Sequence, residues 1–158
     1  VPRFGAENII PSMQPYHIYD DGSWAHKRID HDRLTRTYVF KTLIESGANL
    51  TFGSDWTVAP LNPVTGIYAA VTRRTRDGKN PNGWYPSEKI SVEDALRSYT
   101  INNAYAAFWE NKTGSITVGK YADFTVHSVN ILTATPDEFL NSTVLRTVVA
   151  GKDYIFEK

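Results

Sequence analysis

The sequence predicts an α/β protein whose parallel-sheet portion is followed by a smaller all-β unit. Three observations point there. Between residues 8 and 55 the apolar runs come in the order strand, loop, helix, strand, and parallel strands need such a crossover between them. From Lys112 onward the pattern changes to short in-and-out alternation broken by Gly119-Lys120 and Gly151-Lys152, as in antiparallel hairpins. The length, 158 residues, suits one domain or pieces of two. The expected division is therefore residues 1–111 and residues 112–158.

Each element has its own signal. Residues 8–13, around Ile9 and Ile10, read as a short buried strand that runs into PSMQPYH, ending on His17. Residues 14–30 are polar and aromatic without a period, and read as a loop. DHDRLTRTYVFKTLIESG has Asp30 or Asp32 to cap a helix, Gly47 to end it, and Leu34, Tyr38, Leu43 and Ile44 on one face. ANLTFGSD then reads as a strand ending on Asp55. WTVAPLNP is a loop with two prolines, TGIYAAVTRRT a short helix, and DGKNPNGWYPSEK a long loop, the kind more often functional than decorative. Ser91 opens a helix with Asp94 three residues on, and a break is expected near Thr100. In the tail, SITVGKYADFTVHS reads as two strands, Pro136 starts one helical turn, and LRTVVAGKDYIFEK is a hairpin.

Composition excludes several classes. Seventeen basic and seventeen acidic residues cancel and form no basic stripe, which disfavours nucleic acid and anionic membranes as partners. No run approaches the ~18 apolar residues of a spanning helix. With no cysteine there is no disulfide, thiolate ligand or thiol nucleophile. No G-x-S-x-G occurs to make a nucleophile elbow.

What remains are His17 and Asp55, each expected at the C-terminal end of a strand. Parallel strands in a barrel open on one face, and that face holds the chemistry. Imidazole and carboxylate suit zinc and similar divalent ions, which lower the pKa of a bound water to about 7. Taken by themselves these residues also fit a hydrogen-bonded structural histidine and a helix-capping Gly-Ser-Asp turn. Two ligands fall short of the three that a catalytic zinc normally takes from its protein. His26 and His31 suit solvated or capping roles, and His127, out of phase with Phe124 and Val126, suits the surface. Asp20 and Asp21 fit turn residues or partners of a ligand. Arg73, Arg74 and Arg76 read either as a solvated face or as contacts to an anionic substrate group. Trp84 and Tyr85 would wall a pocket or pin the long loop.

PSMQPYH, Asp21-x-x-Trp24, GSDW at 53–56, PLNPVTGIYAAVTRRT, GWYPSEKISVEDALRSYTINNAYAAF, GSITVGKYADFTV and VLRTVVAGKDYIF, in this order, resemble the amidohydrolase superfamily. The similarity is to its amidohydrolase family 3 branch, which hydrolyses amides and formamides. The resemblance implies the C-terminal part of a distorted (β/α)8 TIM-like barrel plus the C-terminal strands of a small β-sandwich built from both chain ends. It implies that His17 is a metal ligand and that Asp55 is both metal ligand and general base. The ion would be a divalent metal, zinc by preference, with its remaining ligands upstream of Val1. Trp56, Arg73 and Trp84 are the expected substrate-binding elements, and the substrate a small amide-type molecule. The 158 residues alone are expected to be inactive and to need the N-terminal part of the same protein, or a second copy in a homodimer. The rival reading is a non-catalytic relative with a regulatory or assembly role, distinguished by loss of the upstream His-x-His pair.

Overall fold

A computed structural model describes residues 1–154; the end of the last expected strand, 155–158, lies outside the described residues. Two small sheets organise the chain. The first joins β1 (Ser12–Met13) to β2 (Thr51–Phe52) in parallel, with Ser12 opposite Thr51. The second is antiparallel, in the order β3 (Phe124–His127), β4 (Val144–Val149), β5 (Lys152–Tyr154). Helices α1 (Pro2–Ala6), α2 (Tyr16–Asp21), α3 (His31–Leu34), α4 (Phe40–Glu45), α5 (Pro63–Thr72), α6 (Val92–Tyr99) and α7 (Ile101–Ala106) surround the first sheet in sequence, and α8 (Pro136–Leu140) leads into β4. None is long and apolar enough to cross a membrane.

The order of elements agrees with the sequence; their extents do not everywhere. The first strand keeps only two residues, and Ile9 stays 43 % exposed, because among the described residues β1 is paired along one edge only. The expected loop 14–30 contains α2. Pro15, with φ −67°, presets the helical angle at its start, a cue hidden by the unhelical Asp20-Asp21 at its end. The single helix expected from Asp30 to Gly47 is two. Thr35 and Thr37 hydroxyls donate to the carbonyls of Asp32 and Arg33, and Tyr38 takes φ 54°, so the chain turns before α4 restarts. Residues 115–118 form no strand. The hairpin turns at Ala150-Gly151, both at positive φ, rather than at Gly151-Lys152.

Other signals hold. Asn62 caps α5 by accepting from the Val64 amide, Ser91 caps α6 by accepting from Asp94, and Thr135 with Glu138 forms a full capping box on α8. The helix break falls at Thr100, with φ −121° and ψ −93°. The core runs from Ile18 through Phe40, Leu43 and Phe52 to Ile67 and Ala95. Gly66 lets α5 approach α6, since a Cβ there would lie 2.0 Å from the Tyr99 hydroxyl. On β2, Thr51 bonds toward β1, while the carbonyls of Leu50 and Phe52 alternate to the opposite edge. There the side-chain amides of Asn102 and Asn103 donate to them, each at 2.8 Å, and tie α7 to the strand.

Candidate metal and active site

His17 and Asp55, 38 residues apart, face one another: His17 Nε2 lies 3.1 Å from Asp55 Oδ2. The local chain explains this. β1 and β2 are adjacent and parallel, so both chains leave the sheet on the same side. After β1, Pro15 opens α2 and places His17 in its first turn instead of at the strand's last residue. After β2, Gly53 and Ser54 lead to Asp55 at φ 59°, a left-handed angle that aspartate tolerates better than most residues. The Asp55 carbonyl accepts from the Val58 and Ala59 amides, fixing the turn that follows. The histidine side chain is 22 % exposed and the carboxylate 47 %, so both can be reached.

The pair fits half of a divalent metal site. Zinc bonds to histidine nitrogen and carboxylate oxygen are about 2.0–2.2 Å, so one cation can bridge donors this far apart. Among the described residues no third His, Asp or Glu joins them.

The other candidates lie elsewhere. Trp56 follows Asp55 directly and is 64 % exposed. Trp84 is buried against Tyr38 and Tyr85, so it pins the long loop to the core. Arg73 departs from both of its expected roles, solvated face and substrate contact. It follows α5 at φ 53° and its side chain has no exposed surface. Its Nε donates to the Trp84 carbonyl at 2.7 Å and its Nη1 to the Tyr38 carbonyl at 2.8 Å. Burial lowers its pKa to about 10, against the opposing pull of Glu88. Arg74 reaches Asp137 at 2.9 Å, and Arg76 lies 3.7 Å from Asp20. His31 is solvated, as expected. His127 is not a surface residue: it is half-buried and its ring sits 6.3 Å from that of Phe139.

One contact near His17 had no clear sequence signal. The Tyr38 hydroxyl donates to Asp21 Oδ2 at 2.5 Å. Burial, and then the Asp21 carboxylate, push the phenol well above its ordinary pKa, so it remains a donor. It depends on the left-handed angle at Tyr38, which nothing in DRLTRTYVF announces.

A helix-flanked parallel pair of strands brings an imidazole and a carboxylate together beyond their C-terminal ends, the face on which α/β barrels carry their sites. Comparison with known proteins narrows this. A profile described as the amidohydrolase family matches residues 1–153, and the chain belongs to that family. It is 41 % identical over 154 residues to Protein LONG AFTER FAR-RED 3 of Arabidopsis thaliana, covering 95 % of this chain and 25 % of that protein. It is 29 % identical over 128 residues to N-substituted formamide deformylase of Arthrobacter pascens, covering 81 % and 22 %. Among solved structures, an uncharacterized metal-dependent hydrolase from Pyrococcus horikoshii superposes with TM-score 0.74 at 24 % identity, over 85 % of this chain and 27 % of that one. A second, from Pyrococcus furiosus, gives TM-score 0.62 at 29 % identity, over 76 % and 23 %. The chain thus spans about a quarter of the length of these relatives, and its fold is a partial TIM-barrel-like α/β fold of the amidohydrolase kind.

Proposed function

We propose that this chain is the C-terminal part of a metal-dependent hydrolase that cleaves non-peptide carbon–nitrogen bonds, in amides or formamides. The observation behind this is the 3.1 Å approach of His17 Nε2 to Asp55 Oδ2 in a chain of the amidohydrolase family. The relative named a formamide deformylase supports the bond type. His17 and Asp55 would hold a divalent ion, zinc by donor chemistry, with further ligands from outside these residues. Such an ion, when bound, supplies Lewis acidity that polarises the carbonyl and acidifies the attacking water.

The rest falls to the chain's own groups. Asp55 accepts the proton of the attacking water as the C–O bond forms. It then gives that proton to the nitrogen as the C–N bond breaks, so the amine leaves neutral. Trp56, exposed beside Asp55, would lie against the substrate, whereas Arg73 and Trp84 are buried in this structure. The remaining barrel would complete the site. An open groove of about 630 Å³ between α7 and the antiparallel sheet, lined by Trp109, Ile116, Phe124 and Val149, would receive the other strands of a composite β-sandwich. The isolated chain would be inactive.

The test is made in the protein comprising this chain and the rest of its barrel. Asp55→Asn should lower formamide hydrolysis by about 10²–10⁴-fold, the usual contribution of general acid–base catalysis. His17→Ala should lower bound zinc per protein. Unchanged metal content and unchanged turnover in both variants would reject the proposal.

A further inference from the structure

Arg73 poses an energetic question. A buried guanidinium is costly unless paired, yet here it bonds no carboxylate and its Nη2 has no partner. It is packed between the rings of Phe40 and Trp84, 5.9 and 5.8 Å from their centres. What it does hold is two backbone turns. The Tyr38 carbonyl belongs to a residue at φ 54°, and the Trp84 carbonyl precedes Tyr85 at φ 49°. The Trp84 amide in turn donates to the Arg73 carbonyl at 2.6 Å. The planar guanidinium, with several donors in a fixed fork, suits two divergent carbonyls at once.

The Tyr38 turn leads to the site. With its backbone fixed, the Tyr38 hydroxyl reaches Asp21. Asp21 lies four residues after His17 in α2, one turn away on the same face. The segment after Arg73 grips the same end of α2. The Arg76 amide donates to the Tyr19 carbonyl at 2.7 Å, and Gly22 is so close to Thr75 that a Cβ would lie 2.5 Å from its methyl.

We infer that Arg73, through Tyr38 and Asp21, is a positioning residue that sets α2 so that His17 faces Asp55. This rests on the reading of His17 as a metal ligand. It assigns Arg73 no contact with substrate.

The test uses the same complete protein, stripped of metal and titrated with zinc alone. Tyr38→Phe keeps the ring and removes the hydroxyl. It should weaken zinc about tenfold, the low end for groups that orient a ligand. Asp21→Ala should do the same, and the double variant should be no weaker than either alone, because one bond is lost in all three. Asp21→Asn, whose amide oxygen still accepts, should restore most of the affinity. Arg73→Lys should also lose affinity while the substrate KM stays as in the parent. If Arg73→Lys does not fold, Tyr38→Phe decides. Zinc affinity within twofold of the parent in folded Tyr38→Phe, with His17→Ala still losing zinc, would overturn the positioning role alone. A raised KM with unchanged kcat in Arg73→Lys would overturn it too, by making Arg73 a substrate contact. If His17→Ala binds zinc like the parent, the metal-ligand reading falls, and the positioning role with it.

Discussion

His127 shows what a half-buried titratable residue does to this fold. Its Nδ1 is buried without a partner and its ring lies near Phe139. Burial lowers its pKa below the ordinary histidine value, because the charged form is poorly solvated there. The unfolded chain therefore takes up the proton more readily than the folded one. The stability that comes from keeping His127 neutral is complete above about pH 6.5 and is lost as the pH falls below it. His127→Leu, which removes the titration, should narrow its stability gap to the parent, or overtake it, between pH 7.5 and pH 5. Urea midpoints at the two pH values measure this, and parallel shifts in both proteins would contradict it. The carboxylates of Asp123, Glu138 and Asp153 are held low by their hydrogen bonds and change stability only at more acid pH, outside this window. Neither His127 nor Arg73 could be placed from sequence. Alternation along FTVH puts His127 outward, yet α8 folds over that side of the sheet and brings Phe139 to it. Likewise RRTR reads as one basic patch, although a left-handed angle turns its first member inward and leaves Arg74 and Arg76 at the surface.

At the scale of elements, local chemistry set three helix starts, while a fourth depends on a distant side chain. The cap at Ser91 was legible because it acts within three residues, and the caps at Asn62 and Thr135, equally local, start α5 and α8. The start of α4 was not. Its N-cap, Val39, has no side-chain acceptor, and the orphan Thr42 amide is met by Glu88 Oε2 at 3.0 Å from 46 residues away, while the Thr42 hydroxyl bonds the other carboxylate oxygen. Glu88 is a nearly buried acid at the end of the long loop, so it both caps α4 and fastens that loop to the barrel part. Glu88→Ala leaves the amide and the hydroxyl unsatisfied and should cost about 1–3 kcal/mol. Glu88→Gln, which keeps one acceptor, should cost less. Chemical denaturation of the two variants checks the order, and an equal, negligible loss in both would remove Glu88 from this role. The candidate site was legible to the same degree. Parallel strands predict that His17 and Asp55 leave the sheet together, which they do. The helix that holds His17 escaped notice because six residues carry too short a period to read.

For the molecule as a whole, surface area is the informative quantity. A compact monomer of 17.8 kDa exposes about 8,000 Å² by the usual scaling, whereas this chain exposes 9935 Å². Large apolar side chains are prominent on that surface. Phe108, Ile116 and Val118 are almost wholly exposed between α7 and the antiparallel sheet, whose outer strands among the described residues are β3 and β5. Among the described residues the parallel sheet has two strands, fewer than a closed barrel needs. At about 25 cal/mol per Å², several hundred Å² of uncovered apolar surface equals the whole stability margin of an ordinary domain, about 5–15 kcal/mol. Residues 1–158 produced alone should therefore associate in sedimentation experiments, or melt over a broad range with dye-accessible apolar surface. On the proposed reading, mixing them with the separately produced remainder of the barrel should sharpen the melt and remove the dye signal by covering Ile116, Val118 and the sheet edges. A monomer with a sharp, reversible melt and no dye binding would mean that these surfaces need no cover, and the case for an incomplete barrel and half-sandwich would have to be abandoned.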